Sequence, residues 1–168
     1  MTWQPVRFLS RSLAVLAAAA LTLGPALPAL AAETSVAEFA IIPADAVVEG
    51  DLYTGGIRVI VEGRVEGDLL AAAAEEVVVA GTVTGSVVAI APRVVVTGEI
   101  GGSLRVLGGR LEVEGTVRGD VVQATGSTRF GPASEIEKEV LAWTGRMSAL
   151  GSIGIDLTGS VGELELAG

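Results

Sequence analysis

The chain has no cysteine and no histidine among its 168 residues. Without thiols it can form neither a disulfide framework nor a thiolate metal site. Without imidazole it lacks the commonest general base and the commonest metal ligand. Aromatics are also scarce, with two Trp, one Tyr and three Phe, although most globular cores draw much of their buried area from such rings. Positive charge is sparse: 11 Lys and Arg stand against 20 Asp and Glu, a net charge of −9. That balance disfavours nucleic acid and anionic lipid as partners. What remains is half hydrophobic, with 23 glycines. A core of Val, Leu, Ile and Ala suits a narrow interior in which side chains of uniform size stack.

The first 31 residues read as an export signal. Arg7 and Arg11 make a positive n-region, Leu13 to Leu23 is apolar and Ala-rich, and Ala29-Leu-Ala31 fits the small-x-small cleavage rule. Cleavage is expected after Ala31, with an extracytoplasmic, periplasmic or surface destination. Removing two arginines and no acids takes the mature charge from −9 to −11 (−9 − 2). The alternative is an uncleaved anchor over residues 12–31. The apolar run is shorter than the roughly 20 residues a span requires, and Pro25 and Pro28 interrupt it.

From Gly63 onward the chain repeats. Gly63-Arg-Val-Glu-Gly67-Asp-Leu69 is followed by Gly81-Thr-Val-Thr-Gly85-Ser-Val87, Gly98-Glu-Ile-Gly-Gly102-Ser-Leu104 and Gly115-Thr-Val-Arg-Gly119-Asp-Val121. The first glycines are 18, 17 and 17 residues apart. A fixed period of this size marks a solenoid. The register extends back to Ala46-Val-Val-Glu-Gly50-Asp-Leu52. It runs forward to the copies beginning at Ser134 and Gly151 if two extra residues are allowed at Gly131-Pro132. Gly168 then falls where an eighth coil would open.

Alternation within each coil has the period of a strand, and the apolar positions form columns. The first is Val48, Val65, Val83, Ile100, Val117, Ile136 and Ile153, and the second is Leu52, Leu69, Val87, Leu104, Val121, Val140 and Leu157. The third is Val59, Val77, Val94, Leu111, Thr128, Met147 and Leu164, and the fourth is Val61, Val79, Val96, Val113, Phe130, Ala149 and Leu166. Their neighbours are expected to form a solvated outer face, and the repeat glycines to sit at corners where the backbone bends or takes φ > 0. The expected fold is all-β: a single-domain parallel β-helix of about seven coils of 17–18 residues, with three short strands per coil. It spans residues 46–168, after a lead-in or cap over residues 32–45.

The unit Gly-x-Val-x-Gly-Asp-Leu at 17-residue spacing, from Ala46 to Gly168, resembles the bactofilins, the polymer-forming cytoskeletal family. The wider turn at Gly131-Pro-Ala-Ser-Glu-Ile136 also looks like theirs. The resemblance implies a right-handed β-helix that polymerises end to end without nucleotide, often near a membrane, and serves as a scaffold. The best-known members are cytoplasmic. An export signal makes this chain look more like the secreted or envelope-associated members.

Candidate chemistry is thin. Asp51, Asp68, Asp120, Asp156, Glu139, Ser86 and Ser103 form a column after the second glycine. Hard cations want six or more oxygen ligands, so backbone hydrogen bonding at a corner is the expected role. Glu75-Glu76 and Glu135/Glu137/Glu139 read as solvated charge, and Gly101-Gly102 and Gly108-Gly109 lack the context of a phosphate loop. Trp143 is expected to plug the irregular coil. A terminal rung exposes unpaired N–H and C=O groups, so the ends are the candidate polymerisation interface. Phe39 and Ile42 are expected to cover the first rung, and Leu164 and Leu166 to form the last. The expected function is a non-enzymatic, self-associating scaffold of the cell envelope, with no cofactor, metal or nucleotide. Its partners are other copies of itself, with envelope or cell-wall components. The alternative is a monomeric surface adhesin using a lateral face around Tyr53 or Trp143.

Overall fold

The structure is a computed structural model describing residues 33–166 except Ile155, with nothing stated of the side chains of residues 33–38. The expected signal segment, its cleavage point at Ala31 and the turn opening at Gly168 lie outside the described residues. All regular structure within them is β. Eight long strands alternate with seven short ones: β1 (Glu33–Ile42), β2 (Val47–Glu49), β3 (Leu52–Val61), β4 (Arg64–Glu66), β5 (Leu69–Val79), β6 (Thr82–Val83), β7 (Val87–Val96), β8 (Glu99–Ile100), β9 (Leu104–Val113), β10 (Thr116–Val117), β11 (Val121–Phe130), β12 (Glu135–Ile136), β13 (Val140–Ala149), β14 (Ser152–Ile153) and β15 (Leu157–Leu166). Long strands pair only with long ones and short with short, always parallel and in sequence order. The result is a parallel β-solenoid of about seven turns.

All four apolar columns stand as read from the sequence. Val48 pairs with Val65, Val65 with Val83 and Val83 with Ile100. Leu104, Leu111 and Val113 pair with Val121, Thr128 and Phe130. These positions are almost completely buried through the middle coils. Each Val or Leu so buried contributes about 1.5–3 kcal/mol against the cost of ordering the chain. The eighteenth residue of the coil after Gly63 is absorbed by a register shift between Ala72 and Glu76. The longer coil after Gly115 is absorbed in a turn, where the Ser134 hydroxyl donates to the Gly131 carbonyl at 2.7 Å.

The three expected strands per coil appear as two hydrogen-bonded runs. In β3 the inward residues are Leu52 and Thr54, then Val59 and Val61, so the alternation changes parity partway along. One residue per rung drops out of the ladder at that point. Pairing jumps from Ala91↔Gly108 to Arg93↔Arg110, and from Thr125↔Thr144 to Ser127↔Arg146. The skipped residues are Pro92, Gly109, Gly126 and Gly145. The long strand therefore turns a corner without breaking, and its two halves form separate sides of the coil.

The repeat glycines serve a purpose other than the one expected. Positive φ occurs at Gly50 (φ 88) but at none of the other corner glycines from Gly63 to Gly119. What excludes a side chain there is the coil beneath. A Cβ on Gly81 would strike the carbonyl of Gly63, one on Gly98 that of Gly81, and one on Gly115 that of Gly98. Gly67, Gly85, Gly102 and Gly119 likewise rest on the corner of the preceding coil. Each corner glycine is thus required by the glycine, or other small turn, one coil earlier.

One stretch of the interior is polar. Gln123, on the inward face of β11, accepts a hydrogen bond from Thr128 through Oε1 at 2.8 Å, and Thr128 shares another with Thr125 at 2.8 Å. The Thr125 hydroxyl also lies 3.3 Å from that of Thr144. The Gln123 Nε2 has no partner among the described residues. A buried unsatisfied donor costs about 1–3 kcal/mol.

Three stability outcomes are expected. Gly98→Ala should cost about 3 kcal/mol through overpacking against backbone that cannot yield. Gly55→Ala, whose Cβ would lie 3.2 Å from the Ala72 carbonyl oxygen, should cost less than about 1 kcal/mol. Gln123→Met, close in volume and free of the orphan donor, should raise stability by about 1 kcal/mol. Thermal melts followed by circular dichroism check all three.

Candidate functional site

At the C-terminal end of the described solenoid, β15 pairs with β13 and with no other described strand. Leu164 stacks on Met147 and Leu166 on Ala149, so both continue the core columns. No described residue covers them: Leu164 is 46% exposed and Leu166 63%, whereas Leu111 and Val113 in the same columns are at 0%. Leu157, Val161 and Ile153 are half-buried beside them. The cross-section of the core is open at this rung.

At the other end, most of the expected lead-in is itself a rung, with β1 stacking on β3 from Glu33↔Leu52 to Ile42↔Val61. Ile42 is inward, half-buried and packed on the core, beside the buried Ala40. Phe39 lies opposite Arg58 and is 54% exposed. It was expected to cover the first rung, but strand parity turns it outward. Ile42 and Ala40 take the core side.

The corner column after the second glycine behaves as a backbone ladder. Asp51 Oδ1 accepts from the Asp68 amide at 2.8 Å, and Asp68 Oδ1 accepts from the Ser86 amide at 2.7 Å. Ser86 Oγ accepts from the Ser103 amide at 3.2 Å. Each side chain reaches one coil up and satisfies a turn N–H. Among the described residues no group of three or more carboxylates is placed to hold a metal ion. Glu75 is ion-paired with Arg58 at 3.3 Å and Glu76 with Arg93 at 3.4 Å, and Glu135, Glu137 and Glu139 are exposed. Exposed pairs of this kind are worth less than about 1 kcal/mol.

The feature missed in the sequence is a flank. On the first half of each long strand the outward positions are the second and fourth. The second holds Tyr53, Leu70, Val88, Arg105, Val122, Leu141 and Thr158, and the fourth Gly55, Ala72, Ile90, Leu107, Ala124, Trp143 and Ser160. Arg105 is the one charge. The solvated polar face expected there is instead apolar: Leu107 is 57% exposed and Trp143 49%, with Tyr53, Leu70 and Ile90 also exposed. Trp143 is therefore no plug; it points outward, and Phe130 and Met147 fill the interior. Between Leu107 and Trp143 the small Ala124 leaves a depression of about 220 Å³, bordered by Val88, Ile90 and Val122. The flank's sequence signal was available in the same period-two reading that yielded the core columns, applied to the intervening residues.

No protein-family model matches the chain, nor does any curated protein or solved structure.

The ladder role of the corner acids predicts a specific pattern. Asp68→Asn keeps the acceptor and should leave the melting temperature unchanged. Asp68→Ala should lower stability by about 1 kcal/mol. Calcium at millimolar concentration should shift neither melt.

Proposed function

We propose that the chain is a non-enzymatic, self-associating β-helical scaffold of the cell envelope that assembles end to end without nucleotide. The observation that carries this reading is the exposure of Leu164 and Leu166 on the last described rung, in core columns that are buried in the middle coils. Strand edges with unpaired amides and carbonyls template further strands. A second copy offering its own rung would continue the ladders and the apolar columns together. The 17-residue repeat and its resemblance to the bactofilins support the same reading, as does the solenoid of about seven turns. Export through residues 1–31 would place the assembly outside the cytoplasm, where envelope or cell-wall components are its other partners. The strongly acidic balance argues against nucleic acid.

The apolar flank favours a second reading, a monomeric surface module that binds through its side. Electron microscopy and sedimentation of the exported protein without nucleotide separate the two. Filaments are expected. Leu164→Asp or Leu166→Asp should disperse them while the β circular-dichroism signal persists. Monomers at every salt and protein concentration would overturn the end-to-end reading.

A further inference from the structure

We propose that the apolar flank seats a second copy of this chain, sheet on sheet and antiparallel, about a two-fold axis passing by Leu107. This goes beyond end-to-end assembly and uses a different surface. The argument begins with the order of side-chain sizes along the fourth strand position. From β3 to β15 it runs Gly55, Ala72, Ile90, Leu107, Ala124, Trp143, Ser160. Reversing that order about Leu107 sets Trp143 against Ala72 and Ile90 against Ala124, large against small in each case. The depression at Ala124 then receives Ile90 of the other copy, and symmetry fills the second depression in the same way. A two-fold contact requires self-complementarity of this kind, and packed sheets interdigitate their facing side chains.

The dimensions agree. Five residues of strand and seven rungs give a flat strip of about 17 by 30 Å, or about 500 Å² on each copy. The pair buries on the order of 1,000 Å², the lower limit for a specific interface. Such a contact is weak for one pair and strong where end-to-end assembly repeats it along two filaments. Arg105 lies on β9 with Leu107, so at the two-fold it faces its own copy, and it borders both the depression at Ala124 and a shallow one with Asp68 and Ser86. A lipid surface is disfavoured because the acidic corner of Asp51, Asp68, Asp120, Glu139 and Asp156 borders the strip and would meet the headgroups. In the antiparallel pair those corners lie side by side, so association should strengthen as salt screens them.

The test uses the full chain expressed for export and carrying Leu166→Asp, so that end-to-end assembly is silenced whether or not it occurs in the wild type. Sedimentation should show a concentration-dependent dimer that tightens between low and high salt. Leu107→Glu, and separately Ala124→Leu, which closes the depression, should each weaken it at least tenfold. The absence of native cysteine makes single-cysteine variants unambiguous. Leu107→Cys should cross-link through a bismaleimide spanning about 10 Å, the spacing of packed sheets. Thr158→Cys should not, because three rungs from the axis on each copy place its partners about 29 Å apart. A monomer throughout the salt range overturns the proposal, and equal cross-linking at both positions overturns the antiparallel arrangement. Loss of binding to phosphatidylglycerol vesicles in Leu107→Glu, with the parent protein monomeric, would assign the flank to lipid instead.

Discussion

Everything in this fold rests on the contact between one coil and the next. No coil encloses enough apolar volume to stand by itself, so its inward side chains are sealed only by the coils above and below. That sealing needs the corners to approach as closely as the strands do. Strand rungs sit about 4.8 Å apart, and a corner holding a Cβ would prop its coil away from the carbonyl beneath. The glycine columns keep the corners as flat as the sheets. The Asp and Ser ladder does the remaining work there by satisfying turn amides that would otherwise be orphaned.

The same dependence on neighbours explains why the ends and the flank are where function is sought. The interior of the described coils is filled by side chains. Surfaces are what such a molecule offers. The two most conspicuous are of different kinds: the last described rung exposes side chains of the core columns, whereas the flank is a paired sheet face whose outward residues are mostly apolar. They are perpendicular, so occupation of one leaves the other free.

Much of this architecture was legible in the sequence because the period is long, fixed and repeated seven times. Every member of the four core columns falls where the spacing put it, including Thr128 and Phe130 in the irregular region. The corner within the long strand was harder to see, since hydrogen bonding continues through it while only side-chain parity changes. The glycines were recognised as corner residues, yet their reason lies between coils, and one coil's sequence carries no trace of the carbonyl below it. Phe39 and Trp143 were misplaced for a shared reason. Size suggests that a large aromatic covers or fills something, whereas strand parity alone decides which side it takes. The flank is visible only when the residues between core positions are aligned from coil to coil, because within any one coil they alternate as a solvated face would.

The polar patch of Gln123, Thr125, Thr128 and Thr144 acquires a different meaning in a chain this repetitive. Columns of Val and Leu are nearly degenerate, and a strand displaced by one whole coil would find almost equivalent neighbours. The Thr144 and Thr125 hydroxyls meet across adjacent coils, and the longer coil after Gly115 carries Gln123, Thr125 and Thr128. These features act as place markers along an otherwise uniform stack. In the even coils between Gly81 and Gly115 nothing performs that duty, so the molecule's length is there divisible into units of 17 residues. A solenoid of this design can lengthen or shorten by whole coils while its marked region continues to tell every coil where it belongs.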